Sequence, residues 1–256
     1  MLVSKRVGAR SVIDRLYQAG SARCLFPRSH GATLNAVFLN TSGGVTGGDK
    51  MTFTASAGTG STLTLTTQAC ERAYRAQPGQ VGKVRNALHV HAGARLTWLP
   101  QETILFEGSA LDRRLHVTLQ DSAKLLIVEP LVFGRAAMGE ALLNCAFKDR
   151  IEITRGGRPI YVDAMRMKGD LAAHLGQANV ANGAGAMASL VFVDPDAEAH
   201  LQAVRGLLPE TAGASLLAED ILVLRMLAPD SFALRTSLLP VLRLLNDTEI
   251  PRCWMI

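Results

Sequence analysis

Residues 39–76, LNTSGGVTGGDKMTFTASAGTGSTLTLTTQACERAYRA, set the character of the chain. Gly43–Gly44 and Gly47–Gly48 bracket Val45 and Thr46, Asp49 follows directly, and KMTFTASA and STLTLTT then alternate with period two. Glycine serves backbone that must take positive φ or let another group approach closely. Strict alternation is the pattern of a half-buried strand. The stretch therefore reads as a sharp bend at Gly43–Gly48 feeding consecutive strands, with Asp49 at the bend.

A phosphate-binding loop starts from similar residues and fails on two counts. Gly43 and Gly48 have the G-x-x-x-x-G spacing, but Asp49 stands where the phosphate-gripping lysine belongs and Lys50 is displaced by one. A strand follows where such a loop needs a helix N-terminus aimed at the anion. A tight β-turn remains.

The same alternation spreads through the first two-thirds of the chain. TLNAVFLN, KVRNALHVHA, ARLTWLPQETILF, LDRRLHVTLQ, AKLLIVEPLVF and FKDRIEITRGG are strand-like runs punctuated by Gly, Pro, Asp or Ser, with no amphipathic helix between them. This spacing predicts a mainly β chain of stacked or sandwiched, mostly antiparallel sheets, not a βαβ fold. No linker interrupts it, so residues 1–256 are expected to form one domain. Two α-helices are predicted near the C-terminus. One, near 196–208, follows Asp194-Pro195-Asp196; the other, near 231–246, follows Pro229-Asp230-Ser231 and sets Leu234, Leu238, Val241 and Leu245 on one face. LAEDILVLRML between them reads as a strand, and residues 170–188 as a short helix followed by a Gly/Ala-rich loop.

Composition narrows the function classes. With 48% hydrophobic and 19% charged residues, 256 residues can bury a full core. The formal net charge is +5, but the basic residues are dispersed along the sequence and aromatics make up only 5%, which argues against nucleic-acid binding. Cys24, Cys70, Cys145 and Cys253 form no C-x-x-C pair, as suits a reducing cytosol. The opening lacks an apolar signal region, and AKLLIVEPLVF is cut by Glu129 and Pro130, so neither secretion nor membrane spanning is expected.

Candidate chemistry is sparse. His89 and His91, at i and i+2 of a strand, share one face and form a possible weak metal pair, but nothing nearby in sequence completes a site. His30, His116, His174 and His200 show no ligand spacing. No tight metal site and no bound cofactor is expected. Glu102, Glu129, Glu140 and Asp163 each lie in or beside an apolar run, where a carboxylate needs a partner. Arg135, Arg150 and Arg166 offer ion pairs; a polar interior path for a cation is the alternative, and spacing alone favours the ion pairs. Thr66, Thr67 and Gln68 are polar neighbours without an acid or base in register, and no nucleophile motif is present. The residues describe a scaffold more than a catalyst.

The run at residues 39–76 resembles the hallmark segment of the UreD (UreH) urease accessory protein family. LTWLPQETILFEGSALDRRLHVTL, LLIVEPLVFGRAAMGE, LAPDSFALRTSLLPVLRLL and IPRCWMI resemble further segments of that family in the same order, from about Arg15 onward. Two departures stand out. The family usually carries another strand or two before RLYQAGSARCLFPR, so MLVSKRVGARSVID reads as an altered, short start, and the ending RCWMI differs from the usual tail.

The resemblance implies a non-catalytic maturation factor with a β-helical stack and a few C-terminal helices. It implies binding to UreF, recruitment through UreF of the GTPase UreG, and docking on apo-urease in the cytoplasm, with nickel in transit through an internal channel. Such a channel needs oxygen donors that neutralise charge without trapping the ion. On that basis Asp49, Glu102, Glu129, Glu140 and Asp163 are expected to line or support the channel, Glu140 first among them. Thr66, Thr67 and Gln68 would be neutral lining, and the C-terminal helices and tail would face UreF. Alternatives are a stand-alone nickel-binding metallochaperone or store using His89 and His91, and an enzyme on a β scaffold.

Overall fold

The structure, a computed structural model, describes residues 1–28 and 31–255; His30 and Ile256 lie outside them. The opening stretch forms a hairpin of β1 (Leu2–Val7) and β2 (Arg10–Leu16), followed by β3 (Ala22–Leu25) and β4 (Leu34–Asn40). The chain then swings back and forth between two sheets. β5 (Lys50–Ala57), β8 (Gly82–Val90), β11 (Ala110–Leu119) and β13 (Cys145–Arg155) belong to a seven-stranded sheet. β6 (Thr62–Thr67), β9 (Arg95–Leu99) and β12 (Lys124–Phe133) belong to a ten-stranded one, as do the short β7 (Glu71–Ala73) and β10 (Thr103–Leu105). β14 (Arg158–Gly169) returns antiparallel along β13. After α1 (Leu171–Gly176), the strands β15 (Ala186–Val193), β16 (Ala212–Ala218) and β17 (Ile221–Ala228) extend the larger sheet, with α2 (Ala197–Gly206) and α3 (Ser231–Leu245) among them.

The stack is β-helical, and its sheets are mixed instead of mostly antiparallel. β1–β5–β8–β11–β13 are parallel neighbours, and so are β4–β6–β9–β12. A strand that crosses to the opposite sheet and comes back lies parallel to the one it left. Among the described residues, antiparallel pairing between strands is confined to the two ends of the stack. Parallel neighbours need a crossover of a dozen or more residues, and here that crossover is a strand of the facing sheet.

The glycine block is a close-packing device. Val45 bridges Ala73, and a Cβ on Gly44 would run into the Tyr74 ring and come within 2.6 Å of the Arg72 carbonyl oxygen. Gly48 takes φ +87°, and the exposed Asp49 closes the turn by accepting a 2.8 Å hydrogen bond from the Thr46 N–H.

Both predicted helices form. Asp230 caps α3 by accepting from the Ala233 N–H at 2.8 Å, and Leu234, Leu238, Val241 and Leu245 are buried. Asp196 precedes α2 without a side-chain cap bond; Asp194 accepts from its N–H instead and is drawn to Arg95 and Lys124. The two helices cover the outer face of the larger sheet in an apolar core that includes Phe192, Leu224 and Val204. Trp254 (1% exposed) joins this core and donates to the Leu99 carbonyl oxygen at 2.9 Å, which pins the tail. Residues 170–188 give α1, turns and the start of β15.

Candidate functional site: a polar layer between the sheets

Between the sheets the inward side chains form two apolar cores. One holds Leu65, Leu115, Ile127, Ile151 and Val191; the other holds Leu105, Leu111, Leu131, Phe147 and Met187. A single polar layer separates them on four strands. On β11 it is Arg113, between Leu111 and Leu115; on β12 Glu129; on β13 Asp149; on β15 Ser189. Register stacks them, since Arg113 pairs directly with Asp149.

The layer is closely bonded. Arg113 reaches Asp149 through Nε (3.0 Å) and Nη2 (2.6 Å), Glu129 through Nη1 (2.8 Å) and the Thr103 hydroxyl (3.0 Å). The Trp98 indole N–H donates to Glu129 at 2.7 Å. Burial works against the Arg113 charge, but Asp149 and Glu129 outweigh it and raise its pKa. Burial pushes the Glu129 carboxyl up, the charge of Asp149 adds to this, and Arg113 and Trp98 oppose it. Two carboxylates share one guanidinium, so with both ionised the cluster carries one surplus negative charge. A cation entering would be attracted to it, and otherwise a proton would.

Cavities run along this layer across the strands. One of about 90 Å³ lies beside Asn40, Cys70 and Glu71. It shares Phe38, Thr67 and Glu71 with a second of about 60 Å³, which reaches Trp98, Gln101, Arg113 and Glu129. A constriction of about 10 Å³, roughly one water molecule, lies between Arg113, Glu129, Asp149, Asp163 and Ser189. Asp163 also lines a groove of about 650 Å³ at the far side, between Tyr161 and Val162 on β14, Leu217 on β16 and Arg225 on β17.

The opening follows from local sequence. β12 pairs β9 only through Ile127 and pairs β10 only from Leu131. Pro130, which has no N–H to offer, falls in the gap, opposite the break at residues 100–102.

The predicted residues divide. Glu129, Asp163 and Thr67 line the cavities. Asp163 accepts from Ser189 at 3.4 Å and is ion-paired to Arg225. Glu102 lies behind the wall, bound to Arg235 (2.8 Å) and accepting from the Cys70 thiol (3.1 Å). Burial, then the charge of Glu102, pushes that thiol up to about 12. Thr66 is buried on β6, and Gln68 is exposed just beyond it. Glu140 closes a loop: it pairs with Arg135 (2.7 Å) and accepts from the N–H groups of Glu107 (3.2 Å) and Arg135 (3.0 Å). The Arg135 hydrogen bonds lower its pKa to about 2.

The expected arginine partners hold only for Glu140. Arg150 pairs with Glu152, while Glu129, Glu102 and Asp163 take Arg113, Arg235 and Arg225. His89 and His91 do share the outer face of the smaller sheet. Burial lowers the His89 pKa, with His116 and His91 adding to this, and the His91 ring lies 3.1 Å from the Ser56 hydroxyl. Among the described residues no three His, Cys, Asp or Glu side chains are grouped to hold a metal.

Arg113, Asp149 and Glu71 were not anticipated. For the first two the signal was present: each stands in phase with apolar residues of its strand, Leu111 and Leu115, Phe147 and Ile151. Glu71 gave none. Its carboxylate faces the Asn40 amide at 3.1 and 3.2 Å, and burial raises its pKa, against Asn40 and Arg72.

This is a β-helical scaffold with a buried acidic layer bordered by cavities. The sequence model of the UreD urease accessory protein family matches residues 1–255, and the chain belongs to that family. It is 63% identical over 255 residues to the urease accessory protein UreD of Ruegeria pomeroyi, covering 100% of this chain and 99% of that one. It is 50% identical to UreD of Roseobacter denitrificans (99% and 92% covered) and 43% identical to UreD 1 of Brucella melitensis (96% and 89% covered). The match includes the opening hairpin. The chain's role lies in urease maturation, and its family is named for an accessory function, not a catalytic one. No helix among the described residues is long and apolar enough to cross a membrane.

Proposed function

We propose that this protein is a non-catalytic conduit in urease maturation, through which nickel reaches the urease metallocentre. It binds UreF, is linked through UreF to the GTPase UreG, and docks on apo-urease in the cytoplasm. The observation that carries the reading is the run of cavities joined by shared lining residues from Glu71 to Asp163. Its donors suit transit: carboxylate and hydroxyl oxygens bind a borderline cation weakly, whereas clustered imidazoles and thiolates hold it. Nickel is cargo here, not a resident cofactor. Glu129, Asp163 and Thr67 line the route, with Glu71 and Asp149. Glu102, Thr66 and Glu140 support its walls, and Asp49 and Gln68 contribute at exposed turns. The helical face around α3 and the tail meets UreF.

The test is nickel-dependent urease activation in cells carrying Glu71→Gln, Glu129→Gln or Asp163→Asn, with Glu140→Ala beside them. Severalfold loss of activation is expected for the lining variants, with UreF and apo-urease still recovered in pull-downs. Full activation by a Glu71→Gln/Glu129→Gln double variant would remove the passage from the route.

A further inference from the structure

Parallel in-register strands carry side chains into rows across the outer face of the seven-stranded sheet. One row reads Lys50, Lys83, Asp112, Lys148, Arg166. The next, two residues along, reads Thr52, Arg85, Arg114, Arg150, Ala164. The rows hold seven cations against Asp112 and the adjacent Glu152, a surplus equal to the formal +5 of the whole chain. What is dispersed in sequence is gathered on one face.

The fold does not require this arrangement. Lys50 stands directly opposite Lys83, Lys148 opposite Arg166, and Arg85 and Arg150 flank Arg114. Like charges directly opposed across strands are destabilising. Asp112 is engaged by Arg85 (3.1 Å) and Arg114 (3.5 Å), and Glu152 by Arg150 (2.6 Å). Lys50, Lys83, Lys148 and Arg166 are exposed, and none lies within ion-pair distance of a carboxylate among the described residues. The helices cover the other sheet, leaving this face open.

We propose that this face docks an acidic protein surface. Neighbouring strands space the cations about 4.8 Å apart within a row, and the rows lie about 7 Å apart, a flat grid that a folded surface bearing several carboxylates can match. Short side chains around it, Thr52, Thr54 and Ala164, let such a surface approach. The face carries no aromatic stacking platform and has two acids set among its cations, a poor fit to a continuous phosphodiester chain. Its exposed apolar side chains, Val81 and Val162, are short and lie apart at its margins, a poor anchor for a bilayer. Docking relieves the repulsion within the rows, so binding is expected to weaken with salt.

The experiment uses the full chain and Lys83→Glu/Lys148→Glu/Arg166→Glu, whose exposed positions leave the fold intact by circular dichroism. Each is titrated with apo-urease, with UreF and with UreG, and separately with poly-L-glutamate, at low and at moderate salt. For one protein component, reversal is expected to cost about tenfold or more in affinity at low salt, and moderate salt to weaken the wild type likewise. A wild-type interaction that forms and is unmoved by reversal overturns this proposal while leaving the maturation reading intact. If no component binds the wild type, the partner reading above fails; failure of poly-L-glutamate to bind then overturns the face as well. Reversal-sensitive binding to a DNA duplex or to anionic vesicles, with none to the proteins, also overturns it.

Discussion

The polar layer and the apolar core beside it are built from the same strands and differ by one inward position. On β11 the step from Leu115 to Arg113 passes from a packed hydrocarbon interior to a fully bonded ion cluster; Ile151 and Asp149 repeat the step on β13, Ile127 and Glu129 on β12. The apolar core is stabilised by removing surface from water, at about 1.5–3 kcal/mol for each large side chain. The polar layer gains little net stability, because the desolvation of three charges offsets their attraction. Its presence between two apolar cores, with cavities along it, marks a stretch of interior that strength alone does not account for, and it is the stretch on which the proposed nickel route rests.

The largest expected effect comes from Arg113→Met, which strands Glu129 and Asp149 without a counter-charge. A loss of about 3–5 kcal/mol is expected in urea unfolding. Adding Glu129→Leu and Asp149→Leu should return most of that stability while abolishing urease activation. If the triple variant stays as unstable as the single one, the layer is structural and the contrast collapses. Next, Leu65→Ala in the apolar core is expected to cost about 3 kcal/mol without a specific loss of activation beyond that of unfolding. An effect on nickel transfer at normal protein levels would blur the distinction between the two interiors.

The smallest effect concerns Glu140, whose pKa is lowered to about 2, first by its Arg135 hydrogen bonds. A depressed carboxylate adds stability above its unfolded pKa of about 4.3, and that stability is lost as pH falls toward 2. Wild-type and Glu140→Gln unfolding curves should therefore differ above about pH 5 and draw together as pH falls through about 2. A difference that does not shrink between about pH 5 and about pH 2 would show that Glu140 acts through packing.

Much of this was legible one strand at a time. Alternation located the strands around KMTFTASA and STLTLTT, Asp230 marked the start of α3, and Glu129 and Asp163 stood out as acids in apolar runs. Arg113 and Asp149 were legible in principle, through the phase of their strands, but their pairing was not. Arg113 and Glu129 come from opposite sheets, and Arg235 lies 133 residues from the Glu102 it neutralises. Glu140 drew attention as a lone acid after small residues, yet Arg135 of its own loop and the Glu107 N–H take up its carboxylate.

By itself the sequence determined the elements, the closeness required at the Gly43–Gly48 block and the membership of a family. These are local properties, set by side-chain period, turn chemistry and the absence of a Cβ. Whether successive strands return as hairpins or as coils was decided only in three dimensions, since both use the same strand lengths and turns. The coil then did what no linear reading could. It stacked Arg113 on Asp149 inside, and outside it gathered dispersed lysines and arginines into rows, because parallel registry sums across strands what the sequence keeps apart.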